Sequence, residues 1–407
     1  MIDVIIPVFR GESATRRCIE SVLAARCESP FETVVVDDQS PEPEISAWLR
    51  ALAEAGRITL VRHEANRGFV ASVNEGMALH RDRDVLLLNS DTEVADGWLD
   101  RIAACARREP QAATVPPFSN NATICSYPLF AKPNRLPEGC TTASLDRIFA
   151  RENAGLAVEI PTAVGFCMFI SRRVLEEVGA FDEAAFGRGY GEEVDFCMRA
   201  ARAGYRNLLA ADAFVFHEGE VSFGDSGAPM RERAQAIVDA RYPEFQQNLA
   251  TFLHREPARP FRRRVDLARL TSSPRPRLLM ITHRWGGGVE RHVKDLAKLL
   301  ANDCEVLVMR PETGSVVSVQ WLREGEEFEA WFDTAADWDP CVALLRALGV
   351  ARVHLHHVHG LEQKVLQFPQ ALGVPYDVTV HDHYPICPQY HLSDETGRYC
   401  GEPAAAG

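Results

Sequence analysis

The sequence lacks several features that mark particular protein classes. It has no apolar run of transmembrane length, and its start, Met1-Ile2-Asp3, lacks the basic and apolar residues of an export signal. It also lacks an excess of positive charge, because 57 acidic residues outnumber 44 Lys and Arg and give a formal net charge of −13. Since an acidic chain repels phosphate backbones, we expect no nucleic-acid partner.

Paired cysteine spacings such as CxxC are also missing. The eleven cysteines are odd in number and lie within apolar segments, which predicts reduced thiols. We therefore expect a cytoplasmic protein that is soluble or held peripherally at the cytoplasmic membrane. With 407 residues the chain is too long for one compact core, so two domains are expected.

The first part of the chain alternates between strands and helices. Apolar runs predict strands at residues 3–9, 33–36, 58–61 and 85–88, and helices are predicted at residues 13–25 and 70–79. This alternation predicts an α/β fold with a mostly parallel sheet flanked by helices. Ligands of such sheets bind beyond the carboxyl ends of the strands, so polar residues there are candidate site residues.

The most informative strand end is Asn89-Ser90-Asp91, which follows the apolar run at residues 85–88. A carboxylate at this place could hold a cation that bridges a diphosphate. Taken alone, Asp91 could equally be a turn former or a helix cap.

Seven motifs occur in one order along the chain: IIPVF, VVVDDQS, NRGFVASVNEG, LLLNSDT, GFCMFISR, GYGEEVDFCMRAARAGYR and VFHEGEVSFG. Together they resemble the nucleotide-sugar glycosyltransferases of the inverting family 2. Within that family they are most similar to rhamnosyltransferase-like members that build polysaccharides of the bacterial cell envelope. The resemblance implies a GT-A fold. It also implies transfer of a sugar from a nucleoside-diphosphate sugar to a hydroxyl of a saccharide or lipid-linked acceptor, with inversion.

The resemblance also implies a donor pocket at the strand ends. Carboxylates such as Asp37 and Asp38 can accept hydrogen bonds from a nucleobase or ribose, and a glycine such as Gly68 lets the backbone approach a ligand closely. The implied donor-binding residues are Pro7, Val8, Phe9, Asp37, Asp38, Asn66, Gly68, Asn74, Asn89, Ser90 and Asp91.

A divalent cation, Mn²⁺ or Mg²⁺, is the implied cofactor. The family usually has Asp-x-Asp where this chain has Asn89-Ser90-Asp91, so we expect Asp91 and one further ligand to hold the metal. His217 occupies the position of a histidine that often completes this site in similar transferases. A mixed oxygen and imidazole set suits manganese at least as well as magnesium. Out of context, a lone histidine after a strand is more often structural.

Three acids lie in the first turn of a helix predicted at residues 192–203: Glu192, Glu193 and Asp195. Acids at this place also favour the positive end of the helix dipole, which needs no catalysis. In the similar family, the second acid of a Glu-Asp pair removes the proton of the acceptor hydroxyl. Glu193 takes that position here with one extra methylene, and Glu192 and Asp195 would support it.

Gly165, Phe166 and Cys167 are the implied acceptor-binding residues, because the small Gly165 would leave space for sugar rings. The same segment could also be an ordinary buried strand.

Residues 255–274 are rich in Arg and Pro and predict an extended linker between domains at 1–254 and 275–407. The run Arg262-Arg263-Arg264 could instead contact an anionic membrane. Beyond it, a strand at residues 277–282, the loop Gly286-Gly287-Gly288 and a helix resemble the amino-terminal half of a family 4 GT-B glycosyltransferase. Strands at residues 353–356 and 376–380, followed by His381-Asp382 and Cys387-Pro388, fit this pattern. Because the chain ends at residue 407, we expect a partial, Rossmann-like module that is inactive alone.

The histidines at positions 354, 356, 357 and 359 alternate along a strand, which sends neighbours to opposite faces and argues against one zinc site. Three alternatives to a transferase remain. The altered Asn89 and Glu193 positions keep a non-catalytic sugar-nucleotide binder possible, and Glu192 with Glu193 could serve a hydrolase. A sugar nucleotidyltransferase would need a glycine-rich, arginine-containing loop after the first strand, for which Phe9-Arg10-Gly11-Glu12-Ser13 is a poor substitute.

Overall fold

The computed structural model describes residues 1–219, 227–387 and 391–400. Residues 220–224 of the seventh motif, Pro388 and the end of the chain from residue 401 lie outside the described residues. The chain divides into two compact units, Met1–Val265 and Asp266–Gly407. Each unit has hydrophobic core clusters of its own.

The first unit is built on one large sheet and one small sheet. Its strands are β1 (Ile2–Val8), β2 (Phe31–Asp37), β3 (Thr59–Arg62), β4 (Asp84–Leu88), β5 (Thr92–Glu93), β6 (Ala112–Val115), β7 (Pro117–Phe118), β8 (Ala157–Glu159), β9 (Cys167–Ile170), β10 (Arg206–Phe214) and β11 (Phe216–His217). The large sheet has the order β3-β2-β1-β4-β9-β6-β10-β7, and β8 pairs with β10. The predicted α/β class is confirmed.

The large sheet is mixed. β1 to β4 pair in parallel as predicted, whereas β9 lies antiparallel to both β4 and β6, and β8 lies antiparallel to β10. Alternate residues of β4 belong to different core clusters: Leu86 and Leu88 to one, Val85 and Leu87 to the other. Both faces of the sheet are therefore buried, which explains why its strands read as continuous apolar runs.

The helices of the first unit are α1 (Glu12–Ala24), α2 (Pro43–Glu54), α3 (Phe69–Ala78), α4 (Trp98–Arg108), α5 (Thr142–Glu152), α6 (Arg172–Val178), α7 (Glu183–Phe186), α8 (Glu192–Arg202), α9 (Gly227–Arg241) and α10 (Phe245–Arg255). The next helix, α11 (Arg259–Ser272), contains the boundary between the two units. A Cβ added at Gly76 of α3 would lie 2.6 Å from Cγ2 of Ile5 on β1. This glycine thus serves close helix–strand packing.

The predicted extended linker at residues 255–274 is wrong, because α11 makes most of this segment helical. Arg262 is buried, donates to the carbonyl of Pro128 and lies over the ring of Phe130. The three-arginine run is therefore not a continuous exposed cationic surface, and the membrane contact stays a prediction. Among the described residues, no helix is both long and apolar enough to cross a membrane.

The second unit contains β12 (Arg277–Ile281), β13 (Glu305–Pro311), β14 (Val316–Trp321), β15 (Glu329–Asp333), β16 (Val350–Leu355) and β17 (Tyr376–Val378), with helices α12 (Gly287–Leu299), α13 (Trp338–Ala347) and α14 (Phe368–Leu372). Its sheet has the order β15-β14-β13-β12-β16-β17. The four neighbouring strands β13, β12, β16 and β17 pair in parallel. β14 pairs antiparallel with β13, and β15 pairs antiparallel with β14. The predicted strand, glycine loop and helix are present, and the likeness to a GT-B half stays a prediction.

Candidate active site

A cavity of about 580 Å³ lies at the carboxyl ends of β1 and β4 in the first unit. It brings together most of the predicted donor and metal residues from separate parts of the sequence. The predicted residues that line it are Pro7, Val8, Phe9, Asp38, Asn66, Gly68, Asn89, Ser90, Asp91 and His217. This is the ligand-binding edge expected of an open α/β sheet.

Asp91 and His217 meet in this cavity because of the small sheet formed by β5 and β11. These strands pair antiparallel, with His217 opposite Thr92, which directly follows Asp91. His217 Nε2 lies 3.4 Å from Asp91 Oδ1, and the backbone N–H of Gly219 donates to Asp91 Oδ2 at 3.1 Å. Residues more than a hundred positions apart therefore present an imidazole nitrogen and a carboxylate oxygen to one point.

The ring of His217 is held in a fixed orientation. Its Nδ1 lies 2.6 Å from the carbonyl oxygen of Asn121, and its face stacks on Phe166 with centroids 5.1 Å apart. The side chain of Asn120 accepts from the backbone N–H of His217 and donates to its carbonyl. Because Nδ1 is engaged by a carbonyl, Nε2 is the ring nitrogen that faces Asp91, and it could bind a metal after losing its proton.

The environment of His217 shifts its pKa in two directions. Burial lowers it, but the hydrogen bond and negative charge of Asp91 and the carbonyl of Asn121 outweigh burial, so the pKa is raised. A histidine that gains its stabilisation from a neighbouring carboxylate is also one whose proton a divalent cation can replace. The donor set thus fits a divalent cation held by Asp91 and His217.

Asp38 lines the cavity, but its carboxylate organises the adjacent loop. It accepts from the backbone N–H groups of Arg67 and Gly68 at 2.7 and 2.8 Å and from the side chain of Asn66 at 3.0 Å. Nδ1 of His63 lies 2.7 Å from the same carboxylate. The structure therefore assigns Asp38 to shaping the wall of the cavity, rather than leaving both oxygens available for a nucleoside.

Gly68 has a backbone conformation that other residues rarely adopt, with φ 91° and ψ 170°. A Cβ at this position would lie 2.8 Å from Cα of Arg188. The backbone N–H of Phe69 also donates to the carbonyl of Arg188. The glycine therefore allows the loop after β3 to close against the segment that precedes α8.

Three arginines line the cavity that sequence reasoning did not select: Arg10, Arg188 and Arg231. Arg231 donates to the hydroxyl of Tyr190, another lining residue, whose φ of 69° is unusual outside glycine. The cavity therefore carries three guanidinium groups that suit an anionic ligand such as a diphosphate. Arg10 directly after β1 and Arg188 between two glycines were signals in the sequence, whereas the position of Arg231 on α9 was not.

The acids of α8 lie beside this cavity rather than in its lining, as far as the described residues show. Glu192 is buried and Glu193 half-buried, and each has one carboxylate oxygen without a hydrogen-bond partner among the described residues. Burial raises the pKa of both carboxyls, and the charge of Glu193 raises that of Glu192 further. A built Cβ on Gly165 would lie 3.9 Å from Cβ of Glu193, so these two predicted residues are neighbours.

Asp195, predicted to support the base, instead has a structural role. Its carboxylate accepts from Arg199 at 2.8 Å, from Arg241 at 2.7 Å and from the hydroxyl of Tyr242 at 2.7 Å. Both oxygens are engaged, and the side chain is buried. The acid anchors α8 to α9 and the segment after it, which explains a third acid without catalysis.

Two predicted donor residues also have structural roles. Asp37 accepts from the backbone N–H of Ser40 and from the hydroxyl of Ser46, which fixes the turn after β2. Asn74 exchanges two hydrogen bonds with the backbone of Phe181. Neither belongs to the described lining of the cavity, so we remove both from the candidate donor site.

The predicted acceptor segment is mainly buried. Val164 lines the cavity, while Phe166 packs behind His217 and Cys167 begins β9 opposite Leu88. Burial raises the pKa of the Cys167 thiol well above its usual range. All eleven cysteines of the chain are free. Phe166 and Cys167 therefore support the site from behind, Gly165 lies beside Glu193, and the acceptor role of the segment stays a prediction.

Residues 3–179, which lie in the first unit, match the family model for glycosyl transferase family 2. The matched stretch covers less than half of the chain. It includes Asp91 but ends before α8 and His217. The matched stretch therefore covers Asp91, and the grouping of Asp91 with the remaining site residues rests on the geometry described above.

Several curated relatives have glycosyltransferase names. The pre-mycofactocin glycosyltransferase of Mycobacterium tuberculosis is 28% identical over 246 residues, which are 57% of this chain and 48% of that protein. The N-acetylglucosaminyl-diphospho-decaprenol L-rhamnosyltransferase of the same species is 25% identical over 223 residues, covering 50% of this chain and 71% of that protein. The chain spans less than half the length of the first of these relatives.

Among solved structures, a mannosyltransferase of Pyrobaculum calidifontis in complex with GDP-Man and Mn²⁺ is 17% identical, with a TM-score of 0.41. The alignment covers 74% of this chain and 80% of that one. A score this low carries no weight in the assignment of function, which rests on the family match and the site.

Proposed function

We propose that this chain is an inverting, GT-A-type glycosyltransferase. It would move a sugar from a nucleoside-diphosphate sugar to a hydroxyl of a saccharide or lipid-linked acceptor in cell-surface polysaccharide synthesis. The observation that carries the proposal is the pairing of Asp91 with His217 inside a cavity at the strand ends of a family 2 domain. The names of the mycobacterial relatives support the transferase class. One of these names contains diphospho-decaprenol, which supports a lipid-linked acceptor.

The donor would bind with its diphosphate near Asp91, His217 and the cavity arginines. A divalent cation, Mn²⁺ or Mg²⁺, would be held by Asp91 and His217, and it would neutralise charge on the departing diphosphate. Arg10, Arg188 and Arg231 would orient the phosphates through charge-assisted hydrogen bonds. The loop held by Asp38 would form the wall beside the nucleoside.

Glu193 is our proposed base. Removal of a proton from the acceptor hydroxyl needs an ionised carboxylate whose pKa is close to the working pH, and burial raises the pKa of Glu193 in that direction. Burial and the charge of Glu193 also raise the pKa of Glu192, so the two carboxyls would share the proton that the reaction moves. Gly165 leaves space beside Glu193 on the side from which an acceptor would approach.

The test measures diphosphate release and sugar transfer with UDP-, dTDP- and GDP-sugars, with and without Mn²⁺, on the intact chain and on variants. Asp91→Asn and Glu193→Gln remove the two proposed functions. Asp96→Asn and Glu183→Gln are matched surface controls, because both residues are exposed and lie outside the described cavity lining.

We expect Asp91→Asn to lose at least tenfold in Mn²⁺-dependent turnover and Glu193→Gln to bind donor normally while losing transfer. The controls should behave as the intact chain does. Donor binding without turnover on any donor, with an acceptor extract present, would instead identify a non-catalytic sugar-nucleotide binder. Equal activity of Glu193→Gln and Glu183→Gln would remove Glu193 as the base.

A further inference from the structure

Three histidines from separate elements of the second unit meet at the carboxyl end of its parallel strands. His292 lies on α12, His356 directly follows β16, and His381 follows β17. One ring nitrogen of each lies within 4.8 Å of one ring nitrogen of the other two. Sequence alternation correctly separates His357, which faces Asp382, from His356. It could not reveal that His292 and His381 approach His356 from other elements.

The contact between two of these rings has the spacing of metal ligands. Nδ1 of His356 lies 3.3 Å from Nε2 of His381. Two imidazole nitrogens bound to one tetrahedral zinc at about 2.0–2.1 Å would be about 3.3–3.4 Å apart. The other ring nitrogen of His356, Nε2, is buried and has no hydrogen-bond partner among the described residues. His356 is only 3% exposed, so its Nε2 lacks the partner that buried polar atoms normally have.

The other nearby histidines have partners outside the cluster. Asp382 pairs with His357, and Nε2 of His354 lies 2.8 Å from the hydroxyl of Thr379. His292 is exposed, so solvent reaches the cluster from one side.

We propose that His292, His356 and His381 form a binding site for a divalent transition metal of the zinc class. Three imidazole ligands with an accessible side leave a fourth position for water or another ligand, as in exchangeable rather than closed structural zinc sites. The site is independent of the cavity in the first unit, and it uses only histidines, whereas that cavity offers a carboxylate with one histidine.

The experiment uses the full chain without an affinity tag, stripped of metal by chelator, in an Asp91→Asn background that weakens the first proposed site. Zinc binding is measured by competition with a chromophoric chelator, and Co²⁺ is used as a spectroscopic probe of the ligand geometry. The variants are His292→Gln, His356→Gln and His381→Gln. His359→Gln is the matched control, since His359 belongs to the same segment as His356 but lies outside the cluster.

We expect one tightly bound zinc and a tetrahedral Co²⁺ spectrum, with zinc affinity at least tenfold weaker in each cluster variant and unchanged in His359→Gln. Zinc binding that survives in the triple cluster variant, or that falls equally in His359→Gln, would overturn the proposal. If the circular dichroism of His356→Gln shows loss of folding, His292→Gln decides, because its side chain is exposed. Unchanged zinc affinity in a folded His292→Gln would then refute the three-histidine site.

Discussion

Glu192 is a residue whose burial should make stability depend on pH. The residue is 5% exposed, and burial together with the charge of Glu193 raises the pKa of its carboxyl well above 4.5. A carboxyl with a raised folded-state pKa contributes its full stability below the ordinary carboxyl pKa and loses it as pH rises toward the raised value. We therefore expect Glu192→Gln to gain stability relative to the intact chain as pH rises from about 5 to about 8.5.

Thermal unfolding at several pH values measures the stability of Glu192→Gln relative to the intact chain. The melting temperature of Glu192→Gln minus that of the intact chain should increase over this range by about 2–4 °C or more, equivalent to about 1 kcal/mol. The exposed Glu176 provides the control, because Glu176→Gln should leave the difference constant. A constant difference for Glu192→Gln as well would show that its carboxyl titrates as in the unfolded chain.

Asn120 is a positioning residue for the proposed metal site. Its side chain holds both backbone groups of His217, at 2.8 and 2.9 Å. Removing this support should loosen the ligand, and groups behind metal ligands typically contribute about 10–100-fold in affinity. We expect Asn120→Ala to weaken activation by Mn²⁺ about tenfold, measured as the Mn²⁺ concentration for half-maximal diphosphate release.

Asn121→Ala is the control for this prediction. The group of Asn121 that receives Nδ1–H of His217 is its backbone carbonyl, which alanine retains. Mn²⁺ activation should therefore stay close to that of the intact chain, whatever happens to donor affinity. An equal loss in both variants would indicate a general disturbance of the loop instead of a specific role for Asn120.

The sequence predicts single residues well where the local pattern decides their role. The pattern of strand ends predicts both Asp91 and Gly68 as site residues, and both line the cavity. Asp195 and Asn74 were misassigned because their partners, such as Arg241 and Phe181, lie far away in sequence. A polar residue with two distant partners looks identical in sequence to one that is available for a ligand.

At the scale of elements, the loop after β3 depends on close packing against the segment before α8. Alanine at position 68 would need a backbone conformation essentially restricted to glycine, at a cost of about 1–3 kcal/mol. It would also place a methyl group 2.8 Å from Cα of Arg188, where no flexible side chain can move aside. We expect Gly68→Ala to displace Arg188 from the cavity and to raise the donor KM at least tenfold.

Gly139→Ala separates the effect of backbone strain from the effect of the contact with Arg188. Gly139 has a φ of 73°, but nothing lies within 4 Å of an added Cβ. This variant should lose some thermal stability and keep the donor KM. If Gly68→Ala also kept its donor KM, the contact with Arg188 would have no part in shaping the donor site.

The predicted elements of the first unit were found close to their predicted bounds, because strong apolar periodicity sets them locally. The pairing of β5 with β11 could not be predicted, since each strand has only two residues and gives almost no pattern. That pairing nevertheless joins Asp91 to His217. The antiparallel β9 was equally hidden, because a fully buried strand reads the same in either direction.

At the scale of the whole molecule, both units place polar side chains at the ends of parallel strands, but the side chains differ in kind. Each builds parallel strands whose carboxyl ends collect polar side chains, Asp91 with His217 in the first and three histidines in the second. Carboxylate with imidazole suits manganese, whereas imidazole alone favours zinc. The prediction of an extended linker was wrong, because Arg and Pro content cannot distinguish an extended segment from a helix such as α11.

Two units with separate cores should respond separately to two ligands. A ligand that binds only the folded state raises the melting temperature of the unit that binds it. In calorimetry of the full chain we expect two transitions, one raised by Mn²⁺ with a nucleoside diphosphate and the other by Zn²⁺. Asp91→Asn should abolish the first shift and keep the second, and His292→Gln should do the reverse. If both ligands moved one common transition, the units would unfold together, and neither site could be assigned to its unit by this measurement.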